Sequence, residues 1–248
     1  MSKKFKQSSE NSNQRLIIYG RHAVLSAISN PKRQISKILC TKENVAEIKK
    51  TSSLLPQIVE KKEIDKVLPF DAVHQGFVLF CSRLPNCSLD EIITLTDTQE
   101  NCCVLVLDQV TDPQNIGAII RSAVAFNVTA LIVQDKNSPL ESGAMAKASA
   151  GMIEHLPICR VTNLSRAIEQ LKSSGFWTIG MDGYAQTTIA DLKKGGKTAV
   201  VMGSEGKGLR RLVEESCDTL VKLPMNNKVE SLNVATAAAI MLYEINKI

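Results

Sequence analysis

After a polar opening (MSKKFKQSSENSNQ, residues 1–14), which reads as a disordered tail, apolar positions recur along the chain in two distinct arrangements. Between Leu16 and Arg83 the pattern is mixed. Arg21–Ile28, Val45–Lys50 and Lys62–Val67 carry helical spacing, while Ile35–Cys40 and Ile58–Val59 have the composition of strands. Gly76–Cys81 (GFVLFC) predicts a closing, buried strand, so residues 15–83 are expected to form a small α/β sandwich. Residues 84–101 form a connector with Pro85 and one short helix over Leu89–Leu95. From Cys102 onward short apolar runs alternate with amphipathic stretches. Strands are predicted at Cys103–Leu107, Ala130–Val133, Leu156–Cys159, Phe176–Met181, Thr198–Met202 and Thr219–Leu223. Helices are predicted at Asn115–Phe126, Ala144–Ala150, Leu164–Ser174, Gly208–Glu215 and Val234–Ile245. That alternation implies a parallel sheet covered on both faces over residues 102–248. Trp177 falls inside an apolar run and is expected in the core.

Composition narrows the class. Hydrophobic residues make up 44% and charged residues 22%, so a chain of 248 residues can build a sizeable core. Nowhere do 18 consecutive apolar residues occur, and the N-terminus lacks an apolar leader segment, so a cytoplasmic protein outside the membrane is expected. The seven cysteines contain no C-x-x-C pair, and with three scattered histidines no zinc ligand set is visible; reduced, mostly buried thiols are expected. Charge is distributed unevenly. Residues 1–83 hold 15 basic against 7 acidic side chains (+8), and residues 84–248 hold 15 against 18 (−3). A basic first third suits contact with a phosphate backbone, although a solvated lysine-rich surface would give the same count.

The glycines do not belong to a dinucleotide or triphosphate site. No G-x-G-x-x-G follows the first strand of the second domain, and Gly203–Gly208 (GSEGKG) lacks the P-loop spacing and lies at the fifth strand. Three other segments form a constellation. Leu107–Ala123 (LDQVTDPQNIGAIIRSA) reads as strand, turn and a helix capped near Asn115, with Arg121 within two turns of the cap. Val200–Leu209 (VVMGSEGKGL) is a strand opening into a loop whose glycines permit close backbone approach. Leu223–Ala235 (LPMNNKVESLNVA) is a loop entering the last helix, with Ser231 and Asn233 near its start.

These segments resemble, in order and spacing, the three motifs of the SpoU-type RNA ribose 2′-O-methyltransferases. The resemblance covers residues 100–247, and residues 17–83, opening with Tyr19-Gly20-Arg21-His22-Ala23-Val24, look like that family's ribosomal-protein-like RNA-binding domain. The stretch from Lys147 to Asn163 is most similar to the branch that methylates a guanosine of bacterial 23S rRNA. The resemblance implies an α/β fold: a C-terminal trefoil-knotted methyltransferase domain with a mostly parallel sheet, behind a small α/β RNA-binding domain. It implies S-adenosylmethionine as methyl donor, held by backbone groups of Gly203, Leu223, Met225 and Leu232, RNA as partner, and a homodimer. The rivals are a tRNA substrate on the same chemistry, and a catalytically silent assembly factor that kept the fold.

By the same resemblance Arg121 activates the ribose hydroxyl. A guanidinium stays protonated, so stabilising a developing alkoxide is chemically safer than removing its proton. The bland alternative is a surface arginine paired with Asp108 or Asp112. Asn115 either caps its helix or positions the site, and Glu205 is either solvated or orients Arg121 or the ribose. Ser231 and Asn233 supply polar groups at a helix start that suit a phosphate. One departure stands out: many relatives carry a serine where this chain has Ala235. His22 with Arg21 is a further candidate RNA contact.

Overall fold

The computed structural model describes residues 16–192 and 195–246. The expected tail over residues 1–14 lies outside them. In chain order the first elements are β1 (Leu16–Tyr19), α1 (Arg21–Ser29), β2 (Ile35–Cys40), α2 (Val45–Thr51), β3 (Gln57–Ile58), α3 (Lys61–Asp65), β4 (Phe77–Cys81) and α4 (Leu89–Thr96). Then come β5 (Cys102–Leu107), α5 (Pro113–Ala125), β6 (Val128–Gln134), α6 (Gly143–Ala148), β7 (Ile158–Val161) and α7 (Leu164–Ser173). The last are β8 (Trp177–Met181), β9 (Thr187–Thr188), β10 (Lys197–Met202), α8 (Arg211–Glu215), β11 (Thr219–Lys222) and α9 (Val234–Ile245). The sequence pattern missed β1 and β9, each too short to show a period.

Two compact units emerge: residues 16–85 with 140–154, and residues 86–139 with 155–246. The first holds a four-stranded sheet in the order β1-β4-β2-β3, antiparallel except for β2 with β3. Ile18, Ile38, Ile48, Ile64, Phe77 and Leu79 are buried in it. Its 140–154 portion lies, in sequence, between two strands of the second unit. Arg33 holds this portion. Its fully buried guanidinium donates to Glu154 at 2.6 Å and to the Ser82 carbonyl at 2.8 Å, and it also pairs with Glu141. Burial disfavours the charged form of Arg33, but the two carboxylates outweigh that, so its pKa is raised. Gly143 is required by packing, since a Cβ there would sit 2.4 Å from the Ile17 carbonyl oxygen.

The second unit is a seven-stranded sheet, parallel throughout, in the order β7-β6-β5-β10-β8-β11-β9. Its central strands β5, β6 and β10 are buried on both faces, as their near-continuous apolar runs require. Val104, Val106, Ile132 and Val201 pack with Ile92 of α4, Leu164, Ile168 and Leu171 of α7, and Val213 of α8. Successive side chains alternate across a strand, so Leu105, Leu107 and Leu131 face the other side, where α5 and α9 pack against each other. Phe126 and Tyr243 meet edge-on there, ring centroids 5.8 Å apart.

Trp177 is not in the core; it is 54% exposed. It opens β8, and on one side the pairing with β11 starts only at Ile179, so its ring projects beyond the neighbouring strand. None of the seven cysteines is in a disulfide, and Cys40, Cys81, Cys103 and Cys159 are buried. No helix among the described residues is long and apolar enough to cross a membrane.

Candidate active site

From β5 the chain steps to β6 and β7 on one side, while β10 borders β5 on the other. The crevice above the C-terminal ends of β5 and β10 is therefore the switch point of the sheet, where ligands of open α/β folds bind. One buried carboxylate ties the two loops that leave there. Asp108, fully buried, accepts from the Arg210 main-chain N–H at 2.9 Å and from its Nε at 2.8 Å, and a terminal guanidinium nitrogen completes the ion pair at 2.7 Å. Its own N–H donates to the Met202 carbonyl at 2.8 Å. The loop between Met202 and Arg210 folds back on itself, the Gly208 N–H donating to the Ser204 carbonyl at 3.0 Å. Gly203 makes this turn feasible, because a Cβ there would stand 2.1 Å from the Gly208 carbonyl carbon.

The helix that follows β5 begins earlier than its sequence suggests. Asp112 is the cap of α5, its carboxylate accepting from the Gln114 N–H at 3.0 Å, and Pro113 takes the first helical position. Asn115 is thus not the cap but sits inside the first turn. The Asp112-Pro113 pair was the available signal, because proline favours the first helical position and aspartate the one before it. Asn115 is released for another partner: its Oδ1 accepts from Asn233 Nδ2 at 3.0 Å. Asn233 in turn caps α9, its Oδ1 accepting from the N–H groups of Ala235 and Thr236 at 2.9 and 3.4 Å. One amide therefore satisfies a helix start with its oxygen and joins the first motif to the third with its nitrogen.

This junction defines the chain path. Strand β11 is three positions from β5, or about 14 Å at the usual strand spacing. The segment 223–233 must cross the ends of β8 and β10 to bring Asn233 to α5, a return consistent with the expected trefoil topology. Leu223 is buried at the end of β11, Leu232 is half-buried before the cap, and Met225 and Ser231 are exposed on the loop. The turn bonds within this loop run from the N–H groups of Val229 and Lys228 to Asn226, and they involve neither Leu223, Met225 nor Leu232. An apolar set with main-chain groups outside those turns suits an adenosine moiety, whose ring stacks on aliphatic side chains and whose edge takes backbone hydrogen bonds.

Arg121 lies on α5 and is exposed. Its two candidate acidic partners are otherwise engaged, Asp108 with Arg210 and Asp112 with the helix start, so among the described residues it has no ion pair. Glu205 is exposed on the loop after β10 and likewise makes no ion pair among the described residues. The structure brings Asn115 and Asn233 into direct contact, whereas no bond joins Glu205 or Ser231 to Arg121. In the first unit, Arg21 is paired with Glu47 through Nε at 3.0 Å, and His22 is exposed. Sequence reasoning missed Asp108 as the tie between the loops. Its partner lies 102 residues away, beyond the reach of any local pattern.

A parallel sheet with its polar motifs at the switch point has the form of a ligand-binding α/β domain. The family model for the SpoU rRNA methylases matches residues 103–243, and the model for RNA 2′-O ribose methyltransferase substrate binding matches residues 17–87. This chain belongs to the SpoU family of RNA 2′-O-ribose methyltransferases. It is 37% identical over 238 residues to a Staphylococcus saprophyticus protein named as a TrmH family tRNA/rRNA methyltransferase, covering 93% of this chain and 94% of that one. A protein from Staphylococcus aureus with the same name is also 37% identical, over 92% of this chain and 94% of its own. The fold matches that of the SpoU methyltransferase AviRb from Streptomyces viridochromogenes, solved with AdoMet, at a TM-score of 0.81 and 22% identity, over 98% of this chain and 93% of that one. It also matches the AdoMet-bound rRNA methyltransferase from Sinorhizobium meliloti, at 0.80 and 21%, over 98% and 90%.

Proposed function

We propose that this chain transfers a methyl group from S-adenosylmethionine to the ribose 2′-hydroxyl of a guanosine in 23S rRNA, acting in the cytoplasm as a homodimer. One observation carries the catalytic part: an exposed arginine without an ion pair, on the helix whose first turn is bonded to the cap of α9. When bound, S-adenosylmethionine supplies a methyl on a sulfonium, which leaves as a neutral thioether and needs no acid. The work left to the protein is to align the hydroxyl and to favour its anionic form. Arg121 does so electrostatically, its planar fork set against the oxygen on which charge develops, while the hydroxyl proton passes to water. Asn115 and Asn233, joined to each other, hold the two helix starts in register, and Ser231 adds a hydroxyl beside them. Glu205 orients the ribose from the opposite loop. Main-chain groups at Gly203, Leu223, Met225 and Leu232 hold the methyl donor.

The guanosine and 23S assignments rest on the likeness of residues 147–163 to that branch, and the basic excess of the first third supports RNA binding there. The homodimer is supported by Ile240 and Tyr243 of α9, apolar and 42% and 51% exposed. The test is methyl transfer in vitro with unmodified 23S rRNA and with unmodified tRNA, followed by digestion to nucleosides. 2′-O-methylguanosine from the rRNA alone is the expected product. Transfer to tRNA, or a different methylated nucleoside, refutes the assignment.

A further inference from the structure

The sheet of the first unit ends at β3, which pairs only with β2. Both residues of β3, Gln57 and Ile58, are exposed. The pairing is parallel, Leu39 beside Gln57 and Cys40 beside Ile58, and the Val59 N–H donates to the Cys40 carbonyl at 3.0 Å. Main-chain groups alternate across a strand, so with Val59 turned toward β2 the N–H and carbonyl of Ile58 point out of the sheet.

Apolar side chains gather at this edge. Leu54, Leu55 and Ile58 are 43%, 80% and 56% exposed. A single exposed aliphatic side chain is ordinary, but three beside an open main-chain edge invite pairing rather than prevent it. Lysines flank them on both sides in the chain. Lys49 and Lys50 close α2, Lys61 and Lys62 open α3, and all four are exposed and in no ion pair among the described residues. Most neighbouring carboxylates are engaged: Glu47 pairs with Arg21, Glu63 accepts from the Glu60 N–H at 3.0 Å, and Asp65 pairs with His74 at 3.0 Å. Glu60, at the start of α3, is the remaining acid, one carboxylate against four ammonium groups. The edge is therefore apolar at its centre and positive on either side.

We propose that the β3 edge docks a protein partner through an extended segment that adds a strand beside Ile58 and alternates aliphatic with acidic side chains. The segment's main chain meets the outward N–H and carbonyl of Ile58. Its aliphatic side chains cover Leu54, Leu55 and Ile58, and its carboxylates face the lysines. Charge excludes two other occupants of the same shape. Residues 1–14 of this chain carry Lys3, Lys4 and Lys6 against Glu10 alone. A second copy, paired edge to edge, would set these lysines against each other. RNA would meet the lysines but would leave the aliphatic side chains and the main-chain edge without a counterpart. None of these residues belongs to the methyl-transfer machinery.

The test uses the full chain and a short fluorescein-labelled peptide alternating valine and glutamate, followed by fluorescence polarisation. The peptide should bind, and more weakly as salt rises. A twin with lysine in place of glutamate should not bind, nor should one interrupted by proline. Lys61→Glu combined with Lys62→Glu should weaken binding more than about tenfold, since like charges then face each other. Ile58→Pro removes the outward N–H without touching a bond to β2, so the protein should still fold. It should bind the peptide about three- to tenfold less well, the loss of one hydrogen bond. Leu55→Ser, a surface change that leaves the backbone alone, should also weaken peptide binding while the thermal midpoint stays at its wild-type value. Affinity for a single-stranded RNA should match wild type in these two uncharged variants. No binding of the acidic peptide, equal binding of the lysine twin, or RNA affinity that falls together with peptide affinity overturns the proposal.

Discussion

Replacing Asp108 by asparagine changes one atom and puts the loop after β10 to the test. The carboxylate accepts two N–H donors of Arg210, one from the main chain and one from the guanidinium, with which it is also ion-paired. An asparagine keeps a single acceptor oxygen and turns an NH₂ donor toward donors, so at least one N–H is left unpartnered, at about 1–3 kcal/mol. The bonds that survive lose their ionic character and roughly half their strength, or about another 1 kcal/mol. The guanidinium is 38% exposed and can rehydrate, which keeps the total near 3 kcal/mol rather than the larger cost of a fully buried charge. For a chain of this size the thermal midpoint should fall by about 6–12 °C. Differential scanning calorimetry measures that shift, and titration calorimetry with S-adenosylmethionine measures its consequence. The loop between Met202 and Arg210 is fixed at one end by β10 and at the other by this carboxylate, so cofactor affinity should drop more than about tenfold, the factor for 1.4 kcal/mol. A midpoint within about 1 °C of wild type, together with unchanged cofactor affinity, would refute the view that Asp108 positions the loop.

Arg121→Ala should slow single-turnover methylation by about two orders of magnitude or more, as when a preorganised donor is lost. Cofactor binding should remain intact and Arg121→Lys should recover little; a loss confined to RNA affinity would make Arg121 a phosphate clamp instead. Asn233→Ala removes the cap of α9 and the bond to Asn115, so it should cost about 1–2 kcal/mol in denaturant unfolding, and Asn115→Ala should lose much less. Burial pushes the Cys81, Cys103, Cys159 and Cys217 thiols up to about 12 from an ordinary 9.0. Native protein at pH 8 should leave these four unmodified by a thiol reagent. Because a raised thiol pKa favours the folded state only while the thiol stays neutral, stability should decline as pH climbs from about 9 toward about 12; a flat alkaline stability profile would contradict it.

Much of this molecule is written locally. Six of the seven strands of the second unit and the alternation of helices between them were legible, because a buried parallel strand must be apolar along its length and an amphipathic helix must repeat its apolar face every turn. Val234–Ile245 has the bounds its pattern predicts. The three motifs were legible too, since each is a contiguous string. What local pattern misread depended on neighbours far away in the chain. Trp177 has the surroundings of a core residue in sequence, yet it is exposed because β11 does not extend alongside it. Asn115 looked like a cap, but Asp112 holds that place and Asn115 instead bonds Asn233, 118 residues on. Residues 140–154 belong by sequence position between β6 and β7, but the buried guanidinium of Arg33 holds them in the first unit. The buried pairing of Asp108 with Arg210 is likewise a tertiary fact. Periodicity reports which face of an element avoids water; it carries no information on which distant group will satisfy a buried charge or amide. That choice is made by the order of strands in the sheet, which brings the ends of distant segments to the same crevice.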